Sequence, residues 1–251
     1  MLGDFFRKII IYINLLGLMK NIIKILITYF ISIELFEHAR FEFMSKLGRL
    51  FSSNLILNKD NYNLLNLGCG NSYKDNFINV DFFGNKKTDY ALDLRFPFKI
   101  ESRSIDGIFS EHTFEHLSHQ DVDNALNECY RILKPKAKIR IIVPDLSILI
   151  ERYSSDDDEW FHKWHDLVLK DPSRHYMKKY FTKMFAINFT ASYYFHKSCW
   201  DFESLKKALT AQGFINIKKY TNNVGTPELL IDSDSEDRKL VSMYIESEKG
   251  P

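Results

Sequence analysis

Between Leu64 and Val143, short apolar runs alternate with longer segments of helical periodicity, and this alternation restricts the fold more than any other feature of the chain. The runs are Leu64 to Leu67, Ile78 to Val80, Tyr90 to Leu92, Ile105 to Phe109 and Lys138 to Val143. Such a pattern predicts an α/β domain, with a parallel sheet covered by helices on both faces. The clearest helix between strands is Gln120 to Leu133, where Val122, Ala125, Leu126, Cys129, Ile132 and Leu133 form the apolar face and Lys134-Pro135 ends the run.

Beyond Pro144-Asp145 a helix runs to about Tyr153, followed by Ser154 to Ser198, rich in Asp, Lys, His and aromatics. Residues 154–198 read as an insertion over the substrate pocket, because long excursions in compact domains are usually functional. Asp201-Phe202-Glu203-Ser204 opens the helix Leu205 to Ala211, which Gly213 closes. Strands Phe214 to Tyr220 and Leu240 to Ile245 complete the chain around an acidic loop from Asp232 to Asp237.

Upstream, the helical pattern Glu34 to Phe51 meets a polar break near Ser52-Ser53-Asn54 and Asn58 to Asn61. The expected division is an apolar or amphipathic helical segment over residues 1–55 and a catalytic domain over residues 56–251. Ile9 to Phe36 is mostly apolar but carries Lys20 and Lys24, so it is no clean membrane span. Its polar residues Asn14, Gly17, Asn21, Lys24, Thr28 and Ser32 draw a narrow stripe at helical spacing. That pattern suits a helix lying in a membrane interface, or one packed on the catalytic domain or in a dimer.

The formal charge of +1 over 251 residues, with acids and bases interspersed, lacks the basic footprint of a nucleic-acid binder. Cys69, Cys129 and Cys199 stand far apart, which argues against disulfides or a thiolate metal site and suits a cytoplasmic protein, peripheral on the membrane's inner face if residues 9–36 bind there.

The chemistry concentrates after the first strand. Gly68 and Gly70 allow a ligand close to the backbone, since neither carries a blocking side chain. A dinucleotide site would add a glycine at position 73 and an acid about 20 residues on; here position 73 is Tyr73 and Asp81 comes too early. A carboxylate ending the second strand can still accept both hydroxyls of a ribose, and Asp93, ending the third, can receive an adenine amine.

With these residues the chain resembles small class I S-adenosylmethionine-dependent methyltransferases, many found with bacterial polysaccharide and cell-envelope biosynthesis. The resemblance rests on Leu65 to Asn71, Phe77 to Asp81, Asp93 to Phe98, Ser104 to Ile108, Glu111 to Leu117, Arg131 to Pro135 and Val143-Pro144-Asp145, in the family's order. It implies a Rossmann-like seven-stranded, mostly parallel sheet ending in an antiparallel hairpin. It also implies a cofactor held by Asn66, Gly68, Cys69, Gly70 and Asn71 at the methionine part, Asp81 at the ribose, Asp93 and Leu94 at the adenine, and Glu111 near the sulfonium. Asp145 and His196 are the matching candidates for acceptor contacts, His196 because it leads into the Asp201 helix that borders the family's substrate pocket. Two departures stand out. Asn66 replaces the usual acid and Ser72 a small residue, and the connection from Gly68 to Phe77 is too short for a crossover helix.

Methyl transfer is an in-line displacement that needs alignment, exclusion of water and, for a hydroxyl nucleophile, a base. His112 and His116, four apart at the end of the fourth strand, are the candidate bases, with Glu111 or Glu115 orienting a ring. The same stretch spells H-x-x-E-H, the inverted zinc-peptidase arrangement, but offers no identifiable third ligand, and no metal is assigned. Trp160, Phe161, His162, Trp164, His165, His175, Tyr176 and Tyr180 suit core packing better than sugar stacking, and Asp156 to Glu159 suits a solvated helix start. The expected function is methyl transfer from S-adenosyl-L-methionine to a polar small molecule or glycan, at oxygen. The alternative is a nucleoside-binding module that has lost catalysis and serves as a membrane-associated partner.

Overall fold

The computed structural model describes residues 32–50, 55, 57, 62–84, 87–231 and 234–251. The chain divides into two compact units, Met1–Phe51 and Ser52–Pro251. In the first, helix α1 (Ile33–Leu50) starts at Ser32, whose hydroxyl accepts from the Leu35 N–H at 3.2 Å, an N-cap of the usual kind. Of the expected polar stripe from Asn14 to Ser32, all but Ser32 lies outside the described residues. Among those residues, no helix is long and apolar enough to cross a membrane.

The second unit is built on a seven-stranded sheet: β1 (Leu64–Leu67), β2 (Phe77–Asp81), β3 (Tyr90–Ala91), β4 (Ile105–Glu111), β5 (Leu133–Pro144), β6 (Phe214–Tyr220) and β7 (Ser242–Lys249). Their order is β3-β2-β1-β4-β5-β7-β6; the first five are parallel and β7 runs antiparallel to both neighbours. This is the Rossmann-like α/β sheet with an antiparallel C-terminal hairpin. Strand order reverses between β1 and β4, so the crevice at their carboxyl ends is where such sheets place ligands. The strands flanking that point, Leu64–Leu67 and most of β4, are buried on both faces, which explains their unbroken apolar runs.

Helix α2 (His119–Ile132) buries Val122, Ala125, Leu126, Cys129 and Ile132 against this sheet, and Ser118 caps its start. Two strands depart from the sequence expectation. β5 begins at Leu133 rather than Lys138, because Leu133 pairs with Ile105 before a bulge, and Lys136 takes φ 64° beside Pro135, which has no N–H to pair. β7 runs from Ser242 to Lys249 rather than stopping at Ile245, because its polar end is buried: Glu246 pairs with the fully buried Arg140 at 2.7 Å. Lys249 Nζ donates to the Leu133 carbonyl at 2.7 Å.

The connection from Gly68 to Asn76 contains no helix. Residues 146–195 form helices α3 (Leu146–Ser154), α4 (Asp158–Val168) and α5 (Lys183–Ser192) with 3-10 turns around them. Leu149, Phe161, Trp164, Val168, Met177, Ala186 and Val241 give this region a core of its own. Phe161 and Trp164 are therefore packing residues, whereas Tyr176 and Tyr180 are exposed. Helix α6 (Phe202–Ala211) starts with a capping box in which Asp201 and Ser204 satisfy each other's backbone N–H.

Candidate active site

β1 delivers the chain into Gly68 and Gly70, both at positive φ (75° and 51°). The Gly68 and Cys69 N–H groups donate to the Val80 carbonyl at 2.8 and 2.9 Å, folding the loop back over β2. A Cβ at Gly68 would sit 2.1 Å from Thr113 Oγ1, so side-chain packing from the β4 end requires glycine there. A Cβ at Gly70 would meet nothing within 4 Å. Its N–H donates to Asp81 Oδ2 at 2.8 Å, while Asp81 Oδ1 accepts from Phe83 N–H at 3.1 Å. Open space, an exposed Asn71 and a carboxylate ending β2 therefore share one lip of the crevice.

Asn66 has a different post from a cofactor contact. It is buried, and its amide donates to the Ser72 carbonyl at 3.0 Å and to Asn79 Oδ1 at 2.9 Å. Asn79 in turn holds Lys74 N–H at 2.8 Å, so two amides brace a loop too short to become a helix. Cys69 lies beneath the loop, its thiol pushed up to about 12 by burial, with Asp81 adding to the effect, which makes it inert rather than nucleophilic. Both oxygens of Asp93, expected at the adenine, are gripped by the Arg95 guanidinium at 2.9 and 2.8 Å, beside the buried Leu94. Glu111 ends β4 with Lys74 Nζ at 3.8 Å; burial pulls that lysine below its ordinary range while Glu111 opposes the shift. Neither Lys74 nor Arg95 stands out in the sequence, since each is one charge among many on a loop.

The largest correction concerns His112. It lies on no helix: it follows β4 at φ 49°, and Phe114–His116 form a single 3-10 turn. Although four apart, His112 and His116 therefore share no helix face. Instead His112 Nδ1 lies 3.0 Å from Glu115 Oε1 and Nε2 lies 3.0 Å from Asp234 Oδ1. Burial alone would push the imidazole down, but a carboxylate hydrogen-bonded to each ring nitrogen outweighs it and holds His112 up at about 9. With a carboxylate on each ring nitrogen, His112 is clamped from both sides. Tyr244 fixes the far end by donating to Asp234 Oδ2 at 2.9 Å. Asp234 and Tyr244 escaped the sequence reading because they lie more than 100 residues from His112, since the His112–Asp234 contact spans 122 positions.

His116 instead faces His196, with ring centroids 4.8 Å apart, edge to face. Burial lowers the His196 pKa, with Glu115 opposing, and its Nδ1 lies 2.8 Å from the Thr190 carbonyl. His196, Glu115, Thr190, Pro144, Leu146, Ser198, Cys199 and Trp200 line a small pocket between the β5 end and the insertion. Asp145, expected at the acceptor, is fully buried and caps α3: Oδ1 accepts from the Ser147 hydroxyl and Oδ2 from Lys219 Nζ, each at 2.5 Å. It holds the strand end in place rather than reaching a ligand.

Residues 83–141 match the family model described as a methyltransferase domain, a span from the end of β2 into β5. A protein of Methanocaldococcus jannaschii is 32% identical over 130 residues, 45% of this chain and 54% of its own length, so the chain spans about half the curated relative it matches. Among solved structures, a SAM-dependent methyltransferase from Archaeoglobus fulgidus is similar at 21% identity and TM-score 0.44, over 76% of this chain and 87% of that one. One from Methanosarcina mazei is similar at 12% identity and TM-score 0.45, over 77% and 94%.

Proposed function

We propose that this chain is an S-adenosyl-L-methionine-dependent methyltransferase acting on a polar small molecule or glycan, at oxygen. The observation that carries it is the Gly68 to Asn71 loop. It closes on Asp81 at the switch point of the sheet and leaves the space beside Gly70 open. The match of residues 83–141 to a methyltransferase-domain model supports the same reading.

The residues present fit the cofactor: Asp81 offers its remaining lone pairs to ribose hydroxyls, the Gly70 to Asn71 backbone approaches the methionine part, and buried Leu94 lines the adenine side. When bound, the cofactor supplies a methyl group on a cationic sulfonium, a good leaving group. Glu111 and the Lys74 beside it border the crevice at the β4 end. The chain's own task is to align the acceptor and keep water out. The acceptor would approach from the His196 side of the crevice, next to residues 146–195, and residues 9–36 would hold the enzyme at a membrane surface or in a dimer.

Titration calorimetry with S-adenosylmethionine and S-adenosylhomocysteine tests the reading, comparing wild type with Asp81→Asn and Asp81→Ala. Micromolar binding weakened in both variants supports it, and no binding of either ligand by folded wild-type protein removes it. A second reading, a binding module without turnover, is favoured by the His112 clamp. Cofactor binding without methyl transfer to any of a panel of sugar, nucleotide-sugar and phenolic acceptors would select it.

A further inference from the structure

The 3-10 turn after β4 carries Glu115 and His116 up against His196, which follows the insertion. One donor atom from each of the three lies within 4.8 Å of the others. Proximity is only part of the case, since His196 and Glu115 are each prepared in a different way.

Thr190 accepts a hydrogen bond from His196 Nδ1, which assigns the proton to that nitrogen and leaves the lone pair on Nε2, 4.0 Å from Glu115 Oε1. A backbone carbonyl behind the far nitrogen is how metal-ligating histidines are usually oriented. Glu115 is only 1% exposed; Oε1 takes the His112 contact, while Oε2 is buried with no hydrogen-bond partner. A buried carboxylate oxygen left without a donor is costly, and a cation is the group that would satisfy it. The backbone brings the two ends of the cluster together, with Lys197 and Ser198 N–H groups donating to the Glu115 carbonyl at 2.7 and 3.1 Å.

We propose that Glu115, His116 and His196 bind a divalent transition-metal ion of the zinc class, with an open coordination position toward the pocket beside Pro144, Leu146 and Ser198. Two imidazoles and one carboxylate suit zinc, cobalt or iron(II) and not calcium or magnesium, which prefer all-oxygen shells. The inference rests on the methyltransferase reading only for the role of the ion, which is to hold an oxygen of the acceptor. The site itself stands on the residues above.

The test uses the full chain, stripped with a chelator and titrated with Co2+ while visible absorption is recorded, then with Zn2+ in competition. S-adenosylmethionine is titrated into the same preparation. Expected are one equivalent of Co2+ with a d–d band that Zn2+ abolishes, and affinity reduced at least about 10-fold in both His116→Ala and His196→Ala. His175→Ala, at an exposed histidine of the insertion, should leave binding unchanged. Circular dichroism establishes that each variant is folded, and His116→Asn replaces any that is not. Absence of stoichiometric binding by wild type, or binding untouched by the substitutions at both positions, overturns the site. Cofactor binding without metal binding sinks this inference alone, and metal binding without cofactor binding sinks the methyltransferase reading alone.

Discussion

Gly68 and Gly70 share a residue type and a left-handed backbone but answer to different neighbours. At Gly68 a side chain meets Thr113 Oγ1, whereas at Gly70 it enters open space. Gly68→Ala should therefore destabilise the protein by roughly 1–3 kcal/mol through combined backbone strain and collision, seen as a lower thermal midpoint. Gly70→Ala incurs only the left-handed strain, about 1–2 kcal/mol. Its methyl group, however, intrudes where the cofactor backbone would lie, so S-adenosylmethionine affinity should fall about 10-fold or more in calorimetry. Equal effects of the two substitutions on stability and on affinity would contradict this division. The residue scale also shows why the site was only half legible. Gly68, Gly70 and Asp81 announce themselves by spacing after a strand, and they stand together. The fate of His112 depends on Asp234, a residue of an acidic loop with nothing in its own neighbourhood to mark it.

Among the elements, α2 is fastened to the sheet at its apolar face and to the loop before β4 by one charged pair. Glu128 accepts from Arg131 at 2.8 Å and from the Phe98 N–H at 2.5 Å, and Arg131 reaches the carbonyls of Phe98 and Ile100. The Arg131 hydrogen bond holds the Glu128 carboxyl below the usual glutamate range, with burial opposing. A folded-state pKa below the unfolded value means stability that is full above about pH 4.5 and is lost as pH falls through the depressed value. Urea unfolding at pH 7 and near pH 3 should accordingly show a larger acid loss in wild type than in Glu128→Gln. An identical loss in both would mean that this pair carries no pH dependence. The apolar face of α2 was readable from its period alone, whereas the polar ends of β5 and β7 were not. Lys134-Pro135 reads as the end of a helix, and the last strand reads as stopping at Ile245 because the partners that bury the charges of Glu246 to Lys249 are remote in sequence.

For the whole molecule, the Arg140–Glu246 pair decides how the antiparallel edge closes. Arg140 is fully buried, donates to the carbonyls of Val224 and Asn222 as well as to Glu246, and so ties the 221–226 loop to the sheet. Arg140→Met leaves the Glu246 charge buried without its cation, held by Thr226, and should cost about 3–5 kcal/mol, whereas Arg140→Met with Glu246→Leu should recover much of that loss. Denaturant melts of the two single variants and the double variant check the coupling, and strictly additive losses would refute it. The order of the sheet could be anticipated because parallel strands covered on both faces leave an apolar trace. The arrangement of residues 146–195 could not, since their aromatics are divided between packing and surface by contacts from three helices.

The separate core beneath residues 146–195 has an evolutionary corollary. A segment that carries its own hydrophobic filling can drift, lengthen or be exchanged while the sheet keeps its register and the glycine loop its shape. Under the proposed function, changes in acceptor would then accumulate in one module, and the glycine loop and its sheet would be inherited almost untouched.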